Sequence, residues 1–188
     1  MNTETNLWLI RHAPVEGRRG VIHGPDAPAD LSDAAALDAL KALLPAGAPC
    51  FCSPARRTRE TALALILDPA EESSFREQDF GIWTGRRHED LLAELGAAYQ
   101  EFWKSPASNR PPGGESFVDQ IARARSGLAC LPAGDNVLVV HSGTIRAVLA
   151  IALDLAPDTA LRFVIDPLSL TRIDRLNHGW RIVAVNQR

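Results

Sequence analysis

Two histidines occupy equivalent places in the chain, each following a short apolar run. His12 follows residues 7–10 and Arg11, and His141 follows residues 137–140. Such all-apolar runs are typical of buried strands, and open α/β sheets bind their ligands beyond the carboxyl ends of the strands. One histidine at a strand end would fit a solvated side chain equally well. Two of them, with a guanidinium beside one, predict a shared site for an anion such as phosphate.

A third segment is expected to reach the same edge of the sheet. Ser53 ends another apolar run, and with Pro54 it predicts the cap and the first residue of a helix. The amides at a helix N-terminus and nearby guanidiniums both bind oxyanions. The first turns of this helix carry Arg56, Arg57 and Arg59. We expect at least one of Arg56 and Arg59 to face solvent instead.

Strand-like and helix-like segments alternate along the chain. The predicted strands are 7–10, 48–52, 137–140, 169–174 and 180–185, and the predicted helices are 31–44, 54–67, 88–103, 115–131 and 144–155; residues 13–30, 75–85 and 105–114 are expected to be irregular. This alternation indicates a mostly parallel sheet covered on both faces, and the last two strands indicate an antiparallel hairpin. We predict an α/β fold, a three-layer α/β/α sandwich with a mostly parallel mixed sheet, forming a single domain over residues 1–188.

Composition narrows the classes of partner. Hydrophobic residues make up 46% and charged residues 23% of the 188-residue chain, as in soluble globular proteins. The net charge of -3 gives no reason to expect nucleic acid as a partner. The apolar run near the N-terminus is too short for a signal peptide or a membrane span. A small phosphorylated metabolite remains the expected partner, since a basic pocket fits inside a mildly acidic protein. The oligomeric state is left open, and a homodimer is compatible with the sequence.

The cysteines give no sign of a metal or disulfide site. Cys50, Cys52 and Cys130 are an odd number, and a zinc site would need more ligands at closer spacing. Cys50 and Cys52 flank Phe51 in a predicted strand, which favours small core residues. We expect no metal, no cofactor and a reducing, cytoplasmic environment.

Five sequence blocks resemble the histidine phosphatase superfamily, also called the phosphoglycerate mutase-like superfamily, and together they extend along nearly the whole chain. They are Leu9-Ile10-Arg11-His12-Ala13, Ser53 to Ala62 with Arg57 at the family's arginine position, Glu77 to Gly85, Gly113-Gly114-Glu115-Ser116, and His141-Ser142-Gly143. One block alone would be weak evidence. The five occur in the family's order, each on the expected element.

The resemblance implies a phosphoryl-transfer mechanism without a metal. His12 would attack phosphorus and become a phosphohistidine, which water then hydrolyses. Arg11, Arg57 and His141 would supply the positive charge that phosphoryl transfer needs. Glu77 would protonate the departing alkoxide.

Further substrate contacts are predicted on three other segments. His23 lies in the loop after the first strand, Ser142 opens the helix after His141, and Glu115 belongs to the fourth block.

Departures from the family pattern also fall near the site. Ala13 replaces a glycine, which would cost backbone freedom if that position needs positive φ. Val15 supplies no hydroxyl, Thr84 replaces a glutamate, and Ala35 replaces a common glycine.

The loop over residues 14–26 and the later segment Pro112-Gly113-Gly114-Glu115-Ser116-Phe117 most resemble the α-ribazole phosphatase branch, which removes phosphate from a nucleotide-loop precursor in cobalamin assembly. The residues that could line a pocket for the leaving group are His23, Arg86, Arg87, Phe102 and Trp103. Aromatic rings there would stack on a heterocycle, although Phe102 and Trp103 fit the core of a helix better.

Two other functions fit the same blocks. One is a phosphoglycerate mutase, which returns the phosphoryl group to its substrate, and the other is a weakly catalytic protein that binds phosphorylated ligands. A binder would not need both His12 and Glu77. A mutase needs a lid that keeps water out, whereas the region between Trp83 and Glu115 is compact and the chain ends soon after its last predicted strand. We therefore expect hydrolysis.

Overall fold

Six strands and seven α-helices carry the described part of the chain. A computed structural model describes residues 4–17 and 19–188, so Arg18, in the predicted loop 13–30, lies outside it. The strands are β1 (Thr5–Arg11), β2 (Cys50–Cys52), β3 (Pro69–Glu71), β4 (Gly134–Val140), β5 (Leu170–Leu176) and β6 (Gly179–Gln187). The helices are α1 (Ala34–Leu43), α2 (Arg56–Ala64), α3 (His88–Leu95), α4 (Ala97–Lys104), α5 (Phe117–Cys130), α6 (Ser142–Leu153) and α7 (Pro157–Ala160). None of the described helices is long and apolar enough to cross a membrane.

The strands form one mixed sheet in the order β3-β2-β4-β1-β5-β6. The first four strands in this order are parallel, and β5 and β6 each run antiparallel to the strand before them. In the central pair, Arg11 at the end of β1 lies opposite Val140 at the end of β4. The two strands therefore end at the same level, and the next residue on each is a histidine.

Alternating side chains of the central strands build a core on each face of the sheet. Leu7 and Leu9 of β1 pack on one face with Leu138 and with residues of α5 and α6. Ile10 faces the opposite side, in a second core with residues of α1 and α2. This period of two is what a strand buried on both faces requires. The predicted three-layer sandwich is confirmed.

The predicted helix over 88–103 is wrong in one respect, because it is two helices. Gly96 separates α3 from α4 with φ +50, a value that costs residues with a Cβ, and its N–H donates to Leu92 O at 3.0 Å. Trp83, Tyr99 and Phe102 form an aromatic cluster with Ile22 and Leu91, separate from the two sheet cores. The α3–α4 pair therefore has a small core of its own.

The N-terminus of α2 also differs from the prediction. The helix begins at Arg56, with Ala55 at the cap position and no side-chain cap bond. Ser53 does not cap it. The Ser53 hydroxyl accepts a hydrogen bond from Ala55 N at 3.2 Å and lies 2.8 Å from His141 Nε2, so this side chain is used at the histidine instead. Strand β3 was not predicted, since its residues, Pro69–Glu71, do not form an apolar run.

The N-terminus of α5 offers a test of local stability. Ser116 and Asp119 form a reciprocal capping box at its start. Ser116→Ala should lower the free energy of unfolding by about 1 kcal/mol, because the amide of Asp119 loses its acceptor, the Ser116 hydroxyl. Urea unfolding measures this difference. The control is Ser126→Ala, at an exposed position of the same helix, which should change stability by less than about 0.5 kcal/mol. Equal losses in the two variants would contradict the capping role.

Candidate active site

His12 sits at the end of β1 with its ring fixed by the backbone. The backbone N–H of His12 donates to Val140 O at 2.9 Å, and the side chain of His12 is buried. His12 Nδ1 lies 2.6 Å from Ala13 O. A carbonyl only accepts, so Nδ1 carries the proton and Nε2 keeps a lone pair. The ring borders a pocket, which makes Nε2 the nitrogen available for attack on a ligand.

Arg57 joins the two histidines. Its Nε donates to His12 Nε2 at 3.2 Å, and its Nη2 donates to His141 Nδ1 at 3.3 Å. His141 Nε2 then carries the proton and donates to Ser53 Oγ at 2.8 Å. The two imidazole rings stand edge to face with centroids 5.1 Å apart. A third hydrogen bond, from Arg57 Nη1 to Gly24 O at 2.8 Å, fixes the guanidinium in the loop after β1.

Burial keeps both imidazoles neutral in the ligand-free protein. The pKa of His12 is lowered well below its ordinary value, first by burial and then by the charges of His141 and Arg57. The pKa of His141 is lowered likewise by burial and by Arg57 and Arg11. Neutral His12 is the form that acts as a nucleophile. For His141, the predicted positive charge requires the bound anion itself, which favours the imidazolium form.

Arg11 supplies a second cation beside His12. Its Nη1 donates to Ile165 O at 2.5 Å, whereas its buried Nε has no protein partner. Burial, the largest cause, lowers the pKa of Arg11, yet a guanidinium keeps its charge in proteins. An unsatisfied buried donor of this kind is costly unless a ligand takes it up. A phosphate oxygen would satisfy it.

Glu77 brings a carboxylate into this basic site. It lines the pocket, and its Oε1 accepts hydrogen bonds from Gln78 N and Gln120 Nε2, both at 3.2 Å. Its negative charge acts on Arg11, Arg57 and Arg146. A carboxylic acid beside a phosphate can transfer a proton to or from the reacting oxygen.

Arg146 is a pocket cation that the sequence analysis missed. It lies on α6, lines the pocket, and donates through Nε to Phe163 O at 2.9 Å. Burial, the largest cause, lowers its pKa, and Glu77 acts in the opposite direction. The sequence feature that could have identified Arg146 is its spacing. It comes four residues after Ser142, which places both residues on one face of a helix that starts at the site.

The pocket has a volume of about 390 Å³. The polar side chains described above line one part of it, and apolar side chains form an apolar wall. Phe80, Phe102 and Trp103 contribute aromatic rings, and Val15, Val21, Ile22, Phe117 and Leu161 also line it. His23 and Ser142, both predicted as substrate contacts, line the pocket as well. A second cavity of about 450 Å³ shares His23, Arg57 and Glu77 with the first and reaches Ser53 and His141. Arg57, which contacts both histidines, therefore lies where the two cavities meet.

Three residues predicted to contact substrate lie elsewhere. Glu115 lines neither cavity; its carboxylate accepts from Asp79 N at 3.1 Å and pairs with Arg123. It therefore fixes the segment after Glu77. Arg86 pairs with Glu94 and Arg87 with Glu89, and neither arginine lines the pocket. We do not carry these three further as substrate contacts.

The departure at Ala13 has little structural cost. Ala13 is fully buried, and it is not among the described residues with positive φ, so glycine is not required there. The backbone N–H of Ala13 donates to Thr61 Oγ1 at 3.0 Å, while its carbonyl accepts the hydrogen bond from His12 Nδ1. Val15 and Thr84 both line the pocket, where they supply a methyl-bearing surface in place of the family's hydroxyl and carboxylate.

Comparison with known proteins gives the following matches. The family model described as the histidine phosphatase superfamily (branch 1) matches residues 7–188. An adenosylcobalamin/alpha-ribazole phosphatase of Salmonella typhimurium is 27% identical over 196 residues, covering 97% of this chain and 96% of that protein. A 2,3-bisphosphoglycerate-dependent phosphoglycerate mutase of Methylobacterium is 31% identical over 124 residues, or 58% of this chain and 59% of that protein.

Two further matches concern chain length and fold. A bifunctional protein of Mycobacterium tuberculosis is 35% identical over 127 residues, or 63% of this chain, and the matched part is 35% of that longer protein. The crystal structure of the alpha-ribazole phosphatase from Shigella flexneri superposes with a TM-score of 0.85 at 22% identity, covering 97% of this chain and 96% of that one. At that identity it confirms the fold. The relative matched from end to end supports the predicted branch.

The lowered pKa values of His12 and His141 predict that acid destabilises the ligand-free protein. Below about pH 6.5 the unfolded chain binds protons on these histidines that the folded chain does not, so the free energy of unfolding should fall with decreasing pH, by at most about 1.4 kcal/mol per pH unit for each histidine. Urea unfolding between pH 7.5 and pH 5.5 measures this slope. His12→Asn should reduce it, whereas His178→Asn, at an exposed histidine, should not. An unchanged slope in His12→Asn would be contrary to the proposed neutral state.

Proposed function

We propose that this chain, which belongs to the histidine phosphatase superfamily, hydrolyses small phosphomonoesters through a phosphohistidine on His12. The observation that carries the proposal is the state of the His12 ring. Its proton is held on Nδ1 by Ala13 O, so the Nε2 lone pair is directed toward Arg57 beside the pocket. A neutral imidazole fixed in one tautomer among buried cations is suited to attack phosphorus.

The reaction then follows from the residues around that nitrogen. The Nε2 lone pair forms a bond to phosphorus as the bond from phosphorus to the leaving oxygen breaks, and Glu77 gives its proton to that oxygen. In the second step water attacks the phosphohistidine, Glu77 takes the proton from water, and His12 leaves as a neutral ring. The phosphoryl oxygens displace His12 Nε2 as the acceptor of Arg57, so the same guanidinium stabilises the transferred group.

Positive charge in the site comes from side chains. Arg11, Arg57 and Arg146 place three guanidiniums around Glu77. In metal-dependent phosphoryl transfer a cation bridges phosphate oxygens, which is the role these arginines would fill. Among the described residues no cluster of three or more His, Cys, Asp or Glu side chains could hold a metal ion. We propose that no metal or cofactor takes part.

The leaving group that we propose carries a flat, weakly polar ring, as does the nucleoside of α-ribazole 5'-phosphate. The support is the aromatic wall of Phe80, Phe102 and Trp103 facing the phosphate-binding groups, together with the end-to-end match to a relative named for that activity. Phe102 also packs on Trp83 at 5.1 Å between ring centroids, so it belongs both to the aromatic core and to the pocket wall.

We further propose a reducing, cytoplasmic location, since Cys50, Cys52 and Cys130 are all free.

A mutase is the second candidate, because one relative that matches more than half of the chain is named as a phosphoglycerate mutase. The two activities differ in the fate of the phosphohistidine. In a mutase the bound product takes the phosphate back, whereas in a phosphatase water does.

The decisive experiment supplies α-ribazole 5'-phosphate, p-nitrophenyl phosphate and 3-phosphoglycerate to the purified protein in the presence of EDTA. We expect release of inorganic phosphate with the highest kcat/KM for α-ribazole 5'-phosphate, and an alkaline quench, in which phosphohistidine is stable, should trap labelled phosphate on His12. The His12→Ala variant should release none. Efficient interconversion of 2- and 3-phosphoglycerate with little free phosphate would favour the mutase, and a requirement for added Mg²⁺ would exclude the metal-free mechanism.

Arg57 and Arg56 form a matched pair for testing the role of charge. Arg57 is buried against both histidines, while its neighbour Arg56 pairs with Glu60 on the surface. Arg57→Ala should lower kcat on the order of a hundredfold or more, as expected when a preorganised donor to the transition state is lost. Arg56→Ala should leave kcat within about twofold, since exposed ion pairs contribute little. Similar losses in both variants would refute the assignment.

A further inference from the structure

Gln120 is a buried polar side chain that neither the family blocks nor the proposed chemistry explains. It lies on α5 and is fully buried. Its amide nitrogen lies 3.2 Å from Arg76 O, 3.2 Å from Glu77 Oε1 and 3.4 Å from Thr144 Oγ1. Its amide oxygen is buried without a protein partner. Burying an amide with one end unsatisfied costs free energy, so folding stability alone gives no reason for glutamine here.

The orientation of this amide is fixed by its neighbours. Arg76 O can only accept, so the nitrogen of Gln120 and not its oxygen must face it. One hydrogen of that nitrogen serves Arg76 O, and the second has Glu77 Oε1 as its nearer acceptor, at 3.2 Å against 3.4 Å to Thr144 Oγ1. The amide therefore joins the backbone before Glu77 to the carboxylate of Glu77 itself.

A second group restricts the same carboxylate oxygen. Glu77 Oε1 lies so close to Gly143 that a Cβ added at Gly143 would stand 2.2 Å from it. Gln78 N donates to Oε1 at 3.2 Å as well. Oε1 is thus enclosed by two donors and by a backbone without a side chain. Within the described residues no donor reaches Oε2, and Glu77 lines the pocket.

We propose that Gln120 is a positioning residue for the general acid, holding Glu77 Oε1 so that the transferable proton resides on Oε2 and faces the leaving oxygen. Two hydrogen bonds to Oε1 concentrate negative charge there and leave Oε2 as the oxygen that carries the proton. This inference rests on the proposed phosphatase function. It assigns to α5 a part in the protonation of the leaving group, although Gln120 itself touches no substrate.

The leaving group separates this role from a purely structural one. A phenolate such as p-nitrophenolate leaves without protonation, whereas an alkoxide needs the proton from Glu77. Gln120→Met keeps the length of the side chain and removes its donor. We expect kcat/KM for propyl phosphate to fall by about ten- to hundredfold in this variant and kcat/KM for p-nitrophenyl phosphate to fall by less than about threefold.

Three further variants complete the experiment. Gln100→Met makes the same substitution at an exposed position and should leave both substrates unaffected. Gln120→Asn keeps an amide that is one methylene too short to reach Glu77, and it should repeat the selective loss if the methionine variant does not fold. In a Glu77→Gln background, Gln120→Met should add no further loss on propyl phosphate.

Each outcome decides the inference. Equal losses on both substrates, no loss on propyl phosphate, or a full additional loss in the Glu77→Gln background would overturn it. Failure of the proposed function is distinguishable, because wild-type protein would then release phosphate from neither ester.

Discussion

The whole site depends on one buried guanidinium that has no carboxylate partner. Arg57 is 4% exposed, and among the described residues no acidic side chain lies within ion-pair distance of it. Its hydrogen bonds go to the lone pairs of His12 and His141 and to Gly24 O. A buried cation satisfied only by neutral acceptors is expensive, and a ligand anion is the partner that would repay the cost. Burial, together with this charge, keeps both imidazoles neutral, and the neutral imidazole is the form that the proposed attack by His12 requires.

Sheet topology is what brings the partners of Arg57 together. Because β1 and β4 are adjacent and parallel, with Arg11 opposite Val140, the chain leaves both strands at one level. Each histidine then stands one residue beyond its strand, and α2 starts beside β2, the next strand along, with Arg57 as its second residue. The meeting of these residues is a geometric consequence of parallel neighbouring strands, and it needs no special contact between the loops.

The sequence predicted the parts of the site that depend on strand ends, and it failed where tertiary contacts decide. The two histidines follow from apolar runs and the residues just after them, and the family resemblance distinguishes Arg57 from the two neighbouring arginines. Ser53 was predicted as a helix cap from its place before Pro54, but its hydroxyl serves His141, because a buried imidazole N–H needs an acceptor and α2 begins only at Arg56. Arg146 and Gln120 were missed for another reason. Gln120 lies on the amphipathic helix α5 and Arg146 on the mostly buried helix α6, and it is the packing of these two helices that brings both side chains to Glu77.

The residues that we propose for phosphate chemistry and those that we propose for leaving-group recognition occupy different parts of the chain, and the cores that support them are separate. The cations and histidines project from the sheet and from helices packed on it, whereas Phe102 and Trp103 belong to the α4 helix, whose aromatic cluster shares no residue with the two sheet cores. Substitutions in that cluster can reshape the wall of the pocket without disturbing β1 and β4. A fold divided in this way can keep one reaction while its substrate changes. Specificity in this protein should accordingly be sought on α3 and α4 and in the loop that carries His23.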